Sequence, residues 1–168
     1  MLTAQQVIER LGLVPLTIEG GYFRETYRAP LRFMPQALPP EYGHERSAST
    51  AIYYLLTPDT FSALHRVRSD EAFHFYAGDP VEMLQLWPDG NSRLLQLGND
   101  LAAGREPQLV VPAGVWQGSR LIPGGSWALM GCTVAPGFEY VDFEAGPRDQ
   151  LLQEFPEQAD LIRALTIE

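Results

Sequence analysis

Short runs of β-branched, aromatic and aliphatic residues recur through this chain, each followed closely by turn-forming residues. The runs are Tyr22–Arg28, Ser49–Leu56, Phe61–Val67, Glu71–Ala77, Glu82–Trp87, Ser92–Leu97, Gln108–Val111, Trp127–Val134 and Phe138–Glu144. Between them stand Gly20-Gly21, Thr57-Pro58-Asp59, Gly78-Asp79-Pro80 and Pro88-Asp89-Gly90-Asn91. Runs of this length suit strands, and Gly, Pro, Asn and Asp between them suit tight turns. Most of the connections are too short for the crossover helices that a parallel sheet needs. The pattern therefore predicts an antiparallel sandwich or barrel.

Helical patterning is confined to the two ends. Thr3-Ala4-Gln5-Gln6 reads as a capping box, Val7, Ile8 and Leu11 line one face, and Gly12 supplies a stop, so a short helix should pack on the outside of the barrel. After Gly146-Pro147 the period turns helical again over 148–155 and, beyond Pro156, over 157–165. Residues 29–47 carry four prolines and no clean period, which predicts a long loop, with His44 as a solvated residue in it. At 168 residues and 45% hydrophobic composition the chain suits one domain, 1–168, around one sizeable core.

Twenty-one acidic residues against twelve basic ones give a formal charge of −9, and no long Lys/Arg run occurs. Nucleic acid and anionic membrane surfaces are thus excluded as partners. No apolar run is long enough to span a bilayer and the N-terminus lacks a signal-peptide pattern, so a cytoplasmic location is expected. The single cysteine, Cys132, is expected to be a small buried strand residue, in keeping with a reducing compartment.

The stretch Phe61–Val81, FSALHRVRSDEAFHFYAGDPV, holds the residues best suited to chemistry. Alternation places Phe61, Ala63, His65 and Val67 on one face of a strand and Ser62, Leu64, Arg66 and Arg68 on the other. With Arg68-Ser69-Asp70 as a turn, the stretch reads as a hairpin bringing His65 and Glu71 onto adjacent strands. An imidazole beside a carboxylate is a usual pair of metal ligands and a usual acid/base pair.

His65, Val67, Glu71 and Gly78 resemble the first cupin motif, with Val67 where its second histidine would stand. Val111-Pro112-Ala113-Gly114-Val115-Trp116-Gln117 resembles the second, with Gln117 in place of histidine. Glu19-Gly20-Gly21-Tyr22-Phe23-Arg24-Glu25-Thr26-Tyr27, Ala51–Leu56, Ser69–Asp79 and 111–117 together resemble a small single-domain branch, cupin family 5. The resemblance implies an all-β double-stranded β-helix, the cupin jelly-roll barrel, with short N- and C-terminal helices, and a homodimer.

On that frame His65 and Glu71 are the candidate catalytic residues. Gln117 is a poor ligand for a transition metal and a good double hydrogen-bonder, so a tight metal site is not expected. A weakly bound divalent metal on His65, Glu71 and Gln117 is the most the set supports. His74 would complete a two-histidine, one-carboxylate triad, but alternation puts it on the face opposite Glu71 unless a bulge intervenes. Phe73, Phe75, Trp116, Tyr22 and Tyr53 are the candidate walls and Arg24 a candidate cationic rim. Arg66 and Arg68 suit a solvated face. The expected partner is a small polar molecule, sugar-, nucleotide- or carboxylate-like, ahead of an acid/base or weakly metal-dependent enzyme and of a structural or protein-binding barrel.

Overall fold

The computed structural model describes residues 2–167. In chain order its elements are α1 (Ala4–Leu11), β1 (Val14–Pro15), β2 (Tyr22–Arg28), β3 (Arg32–Phe33), β4 (Arg46–Ser47), β5 (Thr50–Leu56) and β6 (Ser62–Arg66). Then come β7 (Asp70–Gly78), β8 (Val81–Leu86), β9 (Ser92–Leu97), β10 (Gln108–Val111), β11 (Trp116–Leu121), β12 (Ala128–Ala135), β13 (Glu144–Ala145), α2 (Arg148–Glu154) and α3 (Ala159–Ala164). One antiparallel sheet runs β1-β2-β5-β12-β7-β10 and the other β13-β6-β11-β8-β9, while β3 and β4 pair separately. This is an all-β jelly roll with short terminal helices.

Alternation sorts the side chains into three packed layers. Tyr54, Leu56, Phe73, Met83, Leu97, Leu109, Val111, Met130 and Val134 form the main core. Leu64, Leu84, Leu86 and Trp116 pack against Leu151 and Phe155 around α2, and against Ile162 and Leu165 around α3. Full burial of an aliphatic or aromatic side chain is worth about 1.5–3 kcal/mol, so those four helix-side residues dock the C-terminus firmly. Val7 of α1 packs with Leu13 and Leu55, with Tyr22 and Tyr53 beside them. The capping box is present, Thr3 Oγ1 accepting from the Gln6 amide at 3.3 Å and Gln6 Oε1 from the Thr3 amide at 2.9 Å. Among the described residues no helix is long and apolar enough to cross a membrane.

Three expectations need correction. Phe61–Val81 is not a paired hairpin, because β6 bonds to β11 and β13 in one sheet and β7 to β12 and β10 in the other. The chain crosses between sheets at Arg68-Ser69, where the Tyr42 hydroxyl donates to the Arg68 carbonyl at 2.9 Å and lies 3.1 Å from Ser69 Oγ. Second, 138–144 is not a strand but a 3-10 turn over Tyr140–Asp142 followed by β13. Its alternating pattern is overridden because Asp142 is drawn inward by Arg46, at 2.8 Å. Third, Trp116–Leu121 forms a strand, β11, that the sequence pattern does not announce, because its inward positions, Gln117 and Ser119, are polar and Gly118 breaks the run.

The Arg46–Asp142 pair is buried, at 1% and 2% side-chain exposure, and Arg46 also donates to the Tyr42, His44 and Glu45 carbonyls. Removing one partner of such a pair leaves an uncompensated charge and costs about 3–5 kcal/mol. Asp142→Ala should therefore lose about that much stability in urea unfolding. A loss below about 1 kcal/mol would show that the pair is not an anchor.

Candidate functional site

A cavity of about 140 Å³ lies between the sheets, lined mostly by apolar groups that include Leu16, Phe23, Ile52, Val67, Phe138 and Phe143. His65, Glu71 and Glu19 reach it with Thr50 and Cys132, and Glu25, Arg28, Glu139 and Tyr140 also line it.

His65 comes from β6, Gln117 from β11 beside it in the register, and Glu71 from β7 in the opposite sheet. Gln117 Nε2 lies 2.7 Å from Glu71 Oε2 and 3.0 Å from His65 Nε2. An amide oxygen facing a carboxylate would repel it, so the NH2 group faces Glu71 and donates one hydrogen to each partner. His65 Nδ1 stands 2.7 Å from the Ala63 carbonyl and must donate to it, which leaves Nε2 as the acceptor for Gln117. The imidazole stacks on Phe143 at 5.0 Å between centroids. All three side chains are buried, and Gln117 Oε1 has no hydrogen-bond partner.

Glu71 is 6% exposed, and burial pushes its carboxyl up from 4.5 to about 6. Glu19 pushes the same way, while His65 and the bonds from Gln117 and Cys132 pull it back. The Cys132 thiol lies 3.6 Å from Glu71 Oε1 and is itself pushed well up by burial and then by Glu71 and Glu19, so it is a weak donor and not a nucleophile.

Glu19 was not expected at the site. Its Oε1 accepts from Ser62 Oγ at 2.5 Å and its Oε2 lies 3.7 Å from His65 Nε2. The backbone holds it there: the Glu19 carbonyl accepts from the Ala63 amide at 2.8 Å, and Gly20, at φ 110°, passes so close to the Phe61 carbonyl that any Cβ would collide with it. The signal was the Glu19-Gly20-Gly21 run, in which the glycines imply a tight approach and the carboxylate rides on it.

The structure brings His65, Glu71 and Gln117 together and leaves the other candidates elsewhere. Tyr22 and Tyr53 pack beneath α1, with Arg24 stacked on Tyr53 at 5.6 Å; their neighbours Phe23 and Ile52 face the cavity instead. Trp116 lies under the C-terminal helices, as it must once Gln117 points inward. Phe73 and Phe75 face the interior but pack in the core beyond the cavity lining. His74 lies on the outer face, its Nε2 3.3 Å from Thr133 Oγ1. The β7 bulge falls between its Phe75 and Ala77 partners, too late to turn His74 inward. Arg66 pairs with Glu144 at 2.9 Å and lies over Trp116, outside the cavity. Phe138, Tyr140 and Phe143 were missed as walls because their segment read as a strand.

The donors present do not fit a transition metal. Among the described residues no three His, Cys, Asp or Glu groups are placed to hold one ion, and Gln117 turns its donor nitrogen, not its oxygen, toward His65 and Glu71.

A family model described as cupin superfamily (DUF985) matches residues 5–146. The chain belongs to the cupin superfamily. Over 134 residues it is 33% identical to the uncharacterized protein YML079W of Saccharomyces cerevisiae; the match covers 74% of this chain and spans 66% of the yeast protein's length. A hypothetical protein from Leishmania major superposes with a TM-score of 0.89 at 34% identity, over 99% of this chain and all of that one. A cupin 2 conserved barrel domain protein from Rhodopseudomonas palustris gives a TM-score of 0.58 at 14% identity over 86% of this chain and 80% of its own, a likeness of fold alone.

A raised carboxyl stabilises the fold fully below the unfolded value of 4.5, and that contribution disappears as pH rises through about 6. Glu71→Gln stays neutral throughout. Its stability relative to the native chain should therefore rise by about 2 kcal/mol between about pH 4 and pH 7.5 in paired urea titrations. A pH-independent difference would show that Glu71 does not titrate as described.

Proposed function

We propose that this protein is a small-molecule-binding cupin whose ligand enters the cavity between the sheets and is held by a hydrogen bond to Glu71 and by contact with the His65 ring. The observation that carries this reading is a buried imidazole and carboxylate, bridged by the Gln117 amide, that both reach a mainly apolar cavity. Such a combination, apolar walls with few convergent polar groups, is the usual build of a ligand site. An apolar cavity of about 150 Å³ holds one benzene molecule, so 140 Å³ suits a single ring or a small branched molecule and is too small to enclose a nucleotide.

A second reading, acid/base catalysis on the same ligand, is favoured by the Glu71 carboxyl near 6 with an imidazole one amide away. Both readings use one pocket, and turnover of a bound compound separates them.

The test begins with a thermal-shift screen of single-ring polyols, amines and acids, since a ligand that binds only the native state raises its melting temperature. For any hit, Glu71→Gln should weaken binding by about 1.5–3 kcal/mol, the range for hydrogen bonds to charged groups. His65→Ala should weaken the same compound, and the two losses should fall short of additivity if both residues touch it. A hit whose affinity neither change alters binds elsewhere and removes the support for this reading.

A further inference from the structure

We infer that the pocket is built for a small organic cation, a protonated amine on a ring-sized apolar body, and rejects carboxylates and phosphates. The inference rests on the pocket reading above and adds the ligand's chemical class.

The hydrogen-bond inventory of the interior is short of donors. Glu19 Oε1 is taken by Ser62, and Oε2 lies 3.7 Å from His65 Nε2; the neighbouring Tyr54 phenol gives its hydrogen to the Gly20 carbonyl. Glu71 Oε2 is taken by Gln117, while Oε1 has only the distant Cys132 thiol, at 3.6 Å. Gln117 Oε1 is buried and unpartnered. His65 presents no spare hydrogen, since Nδ1–H is used on Ala63 and Nε2 accepts from Gln117. Two under-used carboxylate oxygens, on Glu19 and Glu71, thus belong to side chains that line the cavity, and the Gln117 oxygen belongs to the same hydrogen-bonded cluster outside that lining. An ammonium carries three donors and no acceptor, whereas a carboxylate would add acceptors to a surplus.

Charge points the same way. Glu19, Glu25, Glu71 and Glu139 line the cavity against one guanidinium, so four ionised carboxylates and Arg28 leave three negative charges. Arg28 is not free to receive an anion: it bonds Glu25 at 2.9 and 3.1 Å, Glu139 at 2.8 Å and the Phe138 carbonyl at 3.2 Å. Phe23, Phe138, Tyr140 and Phe143 line the same space, and aromatic rings attract a cation that reaches their faces.

The experiment titrates the intact protein at about pH 7.5, above the Glu71 midpoint, with benzylammonium, benzyl alcohol and benzoate, which share a ring and differ in the polar group. Benzylammonium should bind at least about tenfold tighter than the alcohol, and benzoate should not bind detectably. In Glu19→Gln and Glu71→Gln the preference for the ammonium over the alcohol should shrink by about fivefold or more. Benzoate or the alcohol binding as tightly as the ammonium overturns the inference and leaves the pocket standing. No binding by any of the three overturns both. The native-chain comparison decides alone, so a variant that fails to fold does not rescue the idea.

Discussion

A single neutral amide joins two titratable side chains that arrive from opposite sheets. Gln117 gives one hydrogen to Glu71 and one to His65, and without it a carboxylate at 6% exposure would lack its short hydrogen bond. Leaving a buried charge unpaired costs several kcal/mol, more than most single packing contacts return. The register of β11 is therefore tightly specified. A slip by one residue would put Trp116 inside and Gln117 among Leu151, Phe155 and Ile162, exchanging the site and the helix-docking face at once.

The second dependency is the wall formed by 138–144. This segment carries three aromatic rings to the cavity and joins a strand ladder only at Glu144, so side chains supply much of its anchoring. Arg28–Glu139, Arg46–Asp142 and Arg66–Glu144 tie it down along its length. The first and third are partly exposed and worth little alone, whereas the buried middle pair is costly to break. Arg46 is supplied by the proline-rich stretch before β5, which also provides Tyr42 to pin the crossover between β6 and β7. What reads in the sequence as a featureless loop is the brace of the site.

Most of the fold was legible, because period-two alternation and turn residues are local signals. They located β2, β5, β6, β7, β8, β9, β10 and β12 and both helical ends. They could not say which strands pair, and the His65–Glu71 proximity arises across the barrel, not across a hairpin. The site was half legible. His65, Glu71 and Gln117 stand in recognisable motifs, but Tyr22 and Tyr53 each lie one residue from the inward-facing position, which Phe23 and Ile52 occupy. Aromatic surface marks a residue that can form a wall, but phase decides which face a strand residue occupies. Trp116 and Gln117, adjacent in one strand, could not both face the pocket. Arg46 and Asp142 left no local trace, since nothing near either residue announces a partner about a hundred positions away.

Glutamine at 117 also explains the electrostatic character of the interior. An imidazolium there would have offset Glu71 with a full positive charge; an amide offers hydrogen bonds and no net charge. Burial is then the largest influence on Glu71, and its carboxyl rises instead of falling. The other acidic groups nearby cannot relieve it. The Tyr54 phenol and the Cys132 thiol are both pushed well up by burial, with Glu19 adding to both and Glu71 to the thiol, so they stay neutral and act at most as weak donors. Negative charge at Glu71 is left to be balanced by a proton, as it is below about pH 6, or by whatever enters the cavity. The same glutamine that weakens the interior as a metal site ties up the imidazole lone pair and leaves the Glu19 and Glu71 carboxylates short of donors.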